Sequence, residues 1–232
     1  MENDKVKKII SLSEKIDKIT FKTTYYFDIK KRQMLNYFDK QMLGYYQKIL
    51  DLIIELAKEE NTRDIEIINK KYFLKEDNAT SFLQRYMSLL RFYSNLDSRI
   101  FEKQINVIEK IQLNLSLTNE FETKNQISLG NCYFQVGKEA VARKIMLEWI
   151  KDHPDEEEAY MCMQNWYMDV EPNIHKLAQV IDLAEANNHF LSNDLGYTKV
   201  VNFYSQIGDL KNKERYQKIY ENWIKRKRME SR

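Results

Sequence analysis

An all-α fold built from antiparallel helix hairpins is predicted by three observations. The 232-residue chain holds only 5 Gly and 2 Pro against 43% hydrophobic residues, too few turn formers for a many-stranded sandwich and too much apolar mass for disorder. Apolar residues recur at helical spacing along most of the chain. A short pattern, Asn131-Cys132-Tyr133, returns as Asn165-Trp166-Tyr167 and as Asn202-Phe203-Tyr204, at hairpin-sized intervals of 34 and 37 residues.

Charge and cysteine usage narrow the class further. The formal net charge is +2, which gives no general case for a polyanionic partner, although the last 22 residues carry nine Lys or Arg against three Glu. Cys132 and Cys162 make neither a CxxC pair nor a disulfide framework and read as small core residues. The N-terminus, MENDKVKKIISLSEKID, is charged throughout, and no stretch approaches the apolar length of a membrane span. These features predict a cytoplasmic protein with no membrane partner.

The elements follow in order. Val6, Ile9, Ile10, Leu12, Ile16 and Ile19 predict a first amphipathic helix over 3–19. TFKTTYYFD and IKKRQMLNYF then read either as two short strands about a Lys-Lys-Arg turn or as a connector, the connector being favoured because an isolated hairpin is marginally stable. From Met34 to Ala57 one apolar stripe runs for more than six turns, and its surplus of Tyr would suit a homodimer interface. A short helix is expected over 63–74, then a break at Asp77-Asn78 and a helix through Phe82 to Tyr93. Asp97 or Ser98 caps the next, which extends to about residue 117. Residues 1–118 thus form an N-terminal helical region, which either holds degenerate hairpins or serves dimerisation, and residues 119–232 a repeat domain with a basic tail.

The repeat domain starts with a hairpin of about 34 residues. Gln126, Leu129, Tyr133 and Val136 share one helix face, and Val141, Ala142, Ile145, Met146, Trp149 and Ile150 form the stripe of the next. Gly130 and Ala142 are small where two backbones should approach, Gly137 relieves the turn, and Pro154 stops the second helix. Leu129, Gly130, Tyr133, Ala142 and Pro154 together resemble the tetratricopeptide repeat, and the resemblance covers roughly residues 120 to 226. A second unit begins near Glu157, with its second helix expected over Ile174 to Ala186 after an Asp-Val-Glu-Pro break; a third runs from Asp194. Gln164 and Val201 depart from the pattern where Gly130 is small, as does Lys213 where Ala is expected, so units two and three should pack at non-standard angles.

The resemblance implies a right-handed superhelix whose first helices line a concave groove. Asn131, Asn165 and Asn202 would then project into it together, with Ile127, Phe134, Gln135, Met161, Met168, Thr198 and Ser205 around them. An Asn offers both donor and acceptor, so three in a row can bond a peptide backbone. Ile127 and Met161 stand where a carboxylate clamp would want a basic residue, so an apolar or neutral segment is the expected partner. No P-loop, dinucleotide or nucleophile-elbow motif occurs, and His153, His175 and His189 lie far apart with no metal-binding spacing. The reading is a non-enzymatic binding scaffold without cofactor or metal. The alternative is a peptide-sensing regulator in which Lys30, Lys31 and Arg32, beside Tyr25, Tyr26 and Phe27, or the tail KRKRMESR, engage nucleic acid, although no helix-turn-helix signature precedes the repeats, unlike the bacterial regulators that join such a DNA-binding module to a similar helical repeat domain.

Overall fold

A computed structural model describes residues 3–24, 32–73, 78–94, 97–189, 191 and 194–230. The described residues form eleven α-helices and one π-helical turn, with a single parallel β-bridge between Asp64 and Ser116. The chain divides into two units, Met1–Asn125 and Gln126–Arg232. The fold is all-α.

In the first unit, α1 (Asp4–Thr24) lays Val6, Ile9, Leu12, Ile16 and Ile19 against α2 (Arg32–Glu59). Helix α1 therefore runs beyond residue 19, and Phe21 to Thr24 are helical rather than strand. The helix that starts at Asp4 simply continues through this β-branched stretch, since adding a turn to an existing helix costs far less than starting a new element. Residues 25–31, where the turn of the strand reading would fall, lie outside the described residues. Along α2, Met42, Tyr46, Ile49, Leu50, Ile53, Leu56 and Ala57 are buried, as the stripe predicts; Leu43, Leu52 and Ile54 are buried beside it, and Tyr45 is half-buried. Asn61, at φ +50°, ends it: Thr62 donates to the Ala57 carbonyl at 3.0 Å and Asn61 to Lys58 at 3.1 Å, a left-handed cap.

Caps place the remaining helices of this unit. The Asp64 carboxylate accepts the Glu66 N–H at 2.9 Å and starts α3 (Ile65–Tyr72), two residues later than 63–74 anticipates. Asn78 and Ser81 cap α4 (Ala79–Ser94) reciprocally, Ser81 N–H to Asn78 Oδ1 at 2.9 Å and Asn78 N–H to Ser81 Oγ at 3.0 Å. The buried Asn69 of α3 accepts the Ala79 N–H at 3.0 Å and donates to Thr80 at 2.9 Å, so one amide joins two helices. Of the two cap candidates before α5 (Arg99–Asn114), Asp97 does the work: its carboxylate accepts the Arg99 N–H at 3.1 Å, while Ser98 makes no side-chain cap. Tyr86 of α4 stacks on Tyr46 of α2 at 5.6 Å and donates to Gln47 at 3.0 Å.

From α6 (Asn119–Gln135), which begins in the first unit and ends in the second, three hairpins follow one another. They are α6 with α7 (Glu139–Asp152), α8 (Glu157–Asn165) with α9 (Ile174–Ala186), and α10 (Leu195–Gln206) with α11 (Leu210–Glu230). Side chains order them into two rows. Phe134 of α6 meets Trp166, which continues α8, at 5.0 Å, and Gln164 of α8 packs on Gly196 of α10. In the other row Arg143 of α7 donates to Gln179 of α9 at 2.8 Å, and Arg215 of α11 to Asp182 of α9 at 2.7 Å.

The recurring tyrosines mark the three turns. Lys138 N–H donates to the Tyr133 carbonyl at 2.8 Å and Asp209 N–H to the Tyr204 carbonyl at 3.0 Å, each across a glycine at φ +75°, Gly137 and Gly208. In the middle hairpin the corresponding bond, from Asn173 N–H to the Tyr167 carbonyl at 3.0 Å, spans one more residue. That residue is accommodated by the π-helical turn Trp166–Val170, closed by Glu171 N–H on the Trp166 carbonyl at 2.9 Å. Asn173 then caps α9, accepting the Lys176 N–H at 3.1 Å.

Glu139, in the first turn of α7, ties two hairpins together. It receives Lys176 and, at 2.8 Å, the Tyr167 hydroxyl. The Lys176 ammonium holds the Glu139 carboxyl below its ordinary value of 4.5, against partial burial and with help from Tyr167. A carboxyl lowered in the folded state stabilises above its unfolded pKa, and the contribution is lost as pH falls through the folded value. Glu139→Gln should therefore lower the melting temperature at pH 7, with the gap to the parent closing as pH drops below 4.5. A gap independent of pH in melts from pH 7 to pH 3 would show that the pair contributes through shape alone.

Candidate functional site

The repeated pattern separates buried from exposed positions within a few residues. On each first helix the Tyr faces inward: Tyr167 and Tyr204 are buried and Tyr133 half-buried against the core of this unit. Two residues earlier, about 200° around the helix, the side chain must point away from that core. Asn131, Asn165 and Asn202 are accordingly all exposed. Four residues after each Asn, one turn further along the same face, stand Gln135, Asp169 and Gln206, exposed as well.

The other residues expected around the asparagines divide. Gln135 and Ser205 are exposed, and Met161 and Thr198 are half-buried, so these border the Asn row. The Thr198 hydroxyl is already committed, donating to the Leu195 carbonyl at 3.0 Å. Ile127, Phe134 and Met168 lie in the core instead. Phe134 is fully buried between the stacked Trp166 and Tyr167, whose ring meets it edge-on at 6.1 Å. These three side chains support the wall and present almost no surface to a ligand.

Three residues that the motif does not single out shape the same face. Cys162 of α8 lies 3.7 Å from Asn131 Oδ1 and donates its weak S–H to it, orienting the first Asn from the neighbouring helix. Burial, with Cys132 nearby, pushes the Cys162 thiol up to about 12, so it stays protonated and able to donate. Lys199 of α10 reaches Asp169 at 3.2 Å and the Met168 carbonyl at 3.4 Å, which neutralises the carboxylate of the row and pins the π turn. Sequence spacing could have flagged Cys162, which lies three residues before Asn165 and hence on a neighbouring face, but not its partner.

Each histidine rests on an aromatic ring. His153 stacks on Trp149 at 3.8 Å, His189 on Tyr160 at 4.7 Å, and His175 meets Phe203 edge-on at 5.4 Å. Among the described residues no group of three His, Cys, Asp or Glu side chains could hold a metal ion. No described helix is long and apolar enough to cross a membrane. Lys30 and Lys31, with Tyr25, Tyr26 and Phe27, lie outside the described residues, and so does the side chain of Arg32 at the start of α2. A scan against protein-family models finds no match, and searches of curated proteins and of solved structures find none for this chain either.

Proposed function

We propose that residues 119–232 are a tetratricopeptide-like array, and that its Asn row binds an extended segment of a partner protein. The observation that carries this reading is the joint exposure of Asn131, Asn165 and Asn202 at equivalent places on three successive first helices. Neighbouring packed helices stand roughly 8–10 Å apart, and an extended chain rises about 3.3 Å per residue. One Asn per helix can thus meet every third residue of such a chain, using both its donor and its acceptor.

The surroundings set the chemistry of the segment. The charged pair on this face, Asp169 and Lys199, is internally matched, and the remaining border is amide, hydroxyl and thioether. A neutral or apolar segment suits it, held through its backbone. The function is binding rather than catalysis.

A displayed library of linear peptides, selected on the full-length protein, tests the reading. Peptides enriched on the parent should bind at least fivefold more weakly to the Asn165→Ala/Asn202→Ala double variant. The exposed positions predict an unchanged melt, within about 0.5 kcal/mol. Enriched peptides that bind parent and variant equally would remove the Asn row from the site.

A further inference from the structure

The last helix carries a second surface that the Asn row does not use. Positions Lys211, Arg215, Lys218, Asn222, Lys225 and Arg226 follow helical spacing along the side of α11 opposite Tyr216, Tyr220 and Trp223, which face the core. Five cations and one amide thus share a face on which Lys211 and Lys225 stand some 21 Å apart, at 1.5 Å per residue. Arg215 and Arg226 lean towards acids of α9: Arg215 donates to Asp182 at 2.7 Å, and Arg226 opposes the rise that burial imposes on Glu185. The outward charge therefore rests on Lys211, Lys218 and Lys225, exposed and seven residues apart, with the exposed Glu214 and Glu221 flanking the last two.

The composition of this face selects its ligand. No apolar side chain lies on it between Lys211 and Arg226, whereas the centres of protein interfaces are apolar and depleted in Lys. Single-stranded nucleic acids need exposed aromatic platforms, and the aromatic rings of α11 are turned inward. Duplex RNA is read through 2′-hydroxyls by hydrogen-bonding side chains, of which the face offers only Asn222. A straight row of ammonium groups fits the continuous phosphates of B-form DNA, where 21 Å corresponds to about six base-pair steps. We propose that this face of α11 binds the phosphate backbone of double-stranded DNA, without reading its sequence.

The test is fluorescence anisotropy of the full-length protein with a labelled DNA duplex of roughly 20 base pairs, between about 50 and 200 mM salt. Three lysine–phosphate contacts predict a log–log salt slope of about −3. Lys211→Gln/Lys218→Gln/Lys225→Gln should weaken binding at least tenfold at the lowest salt and flatten the slope. Glu214→Gln/Glu221→Gln should tighten it severalfold, an effect that a merely structural role for the helix would not produce. The proposal is overturned by no binding at low salt, by an unchanged lysine variant, by tighter binding of a duplex RNA, or by an acidic helical peptide that outcompetes DNA. Asn165→Ala/Asn202→Ala leaves DNA binding intact, so failure of this surface is distinguishable from failure of the Asn row.

Discussion

Replacing Phe134 by Ala is expected to lower the unfolding free energy by about 3–5 kcal/mol, the range for removing a large aromatic from a core. The ring is fully buried, stacks on Trp166 at 5.0 Å and meets Tyr167 edge-on at 6.1 Å. It therefore joins the first hairpin to the second through the π turn. Truncation leaves a cavity bounded by that turn, so the closing bond from Glu171 N–H to the Trp166 carbonyl should loosen with it. Urea unfolding measures the first effect and amide exchange at Glu171 the second. A loss below about 1 kcal/mol would mean that the hairpins are held together elsewhere.

Gly196→Ala should also destabilise, by about 1–3 kcal/mol, although Gly→Ala inside a helix ordinarily stabilises by roughly 0.5–1 kcal/mol. The reversal comes from one neighbour. A Cβ at Gly196 would collide with the side-chain amide of Gln164, which is itself buried to 1% exposure and cannot swing out to water. Gln164→Ala in the Gly196→Ala background should restore much of the loss, giving a coupling energy of about 0.5–3 kcal/mol in a double-mutant cycle. Additive effects of the two changes would refute the contact. An increase in stability from Gly196→Ala alone would do so more directly.

This pair shows where the repeat pattern stopped being informative. At the first unit Gly130 is the small residue, and a Cβ there would meet Met146 Cε at 2.5 Å. The second unit has Gln164 in the corresponding place, which reads as a loss of the close approach. Gln164 instead packs on Gly196 of α10, so the close approach here lies between two first helices, whereas Gly130 closes on the second helix of its own hairpin. Close packing belongs to two surfaces jointly, and a pattern along one helix reports only half of it. The same limit applies to Phe134 and Met168, which stand near exposed asparagines in sequence but one helical step further round, in the core.

Helix class and most boundaries were legible because they depend on local chemistry. The 3.6-residue apolar period locates the buried stripes, Asn78 and Asp97 supply the side-chain oxygens that caps require, and Gly137 and Gly208 adopt the positive φ that each turn needs. The second helix of the middle hairpin runs over Ile174–Ala186, the span that its stripe and the preceding break predict. The π turn was not legible. The Asp-Val-Glu-Pro break signals an interruption, but inserting one residue as a π turn is decided by how Trp166 and Tyr167 seat against Phe134 and Glu139.

The sequence by itself determined that this protein is all-α, where its hairpins turn, and that three asparagines recur in phase with three inward tyrosines. These properties follow from periodicity and from the backbone demands of caps and turns, which act within a few residues. Only the tertiary structure decided which neighbours share those positions: Cys162 orienting Asn131, Lys199 matching Asp169, Gly196 yielding to Gln164, and α9 drawing Arg215 away from the outward lysines of α11. Such pairings join residues about 30 positions apart, and their strength depends on distance and burial, which chain order does not encode.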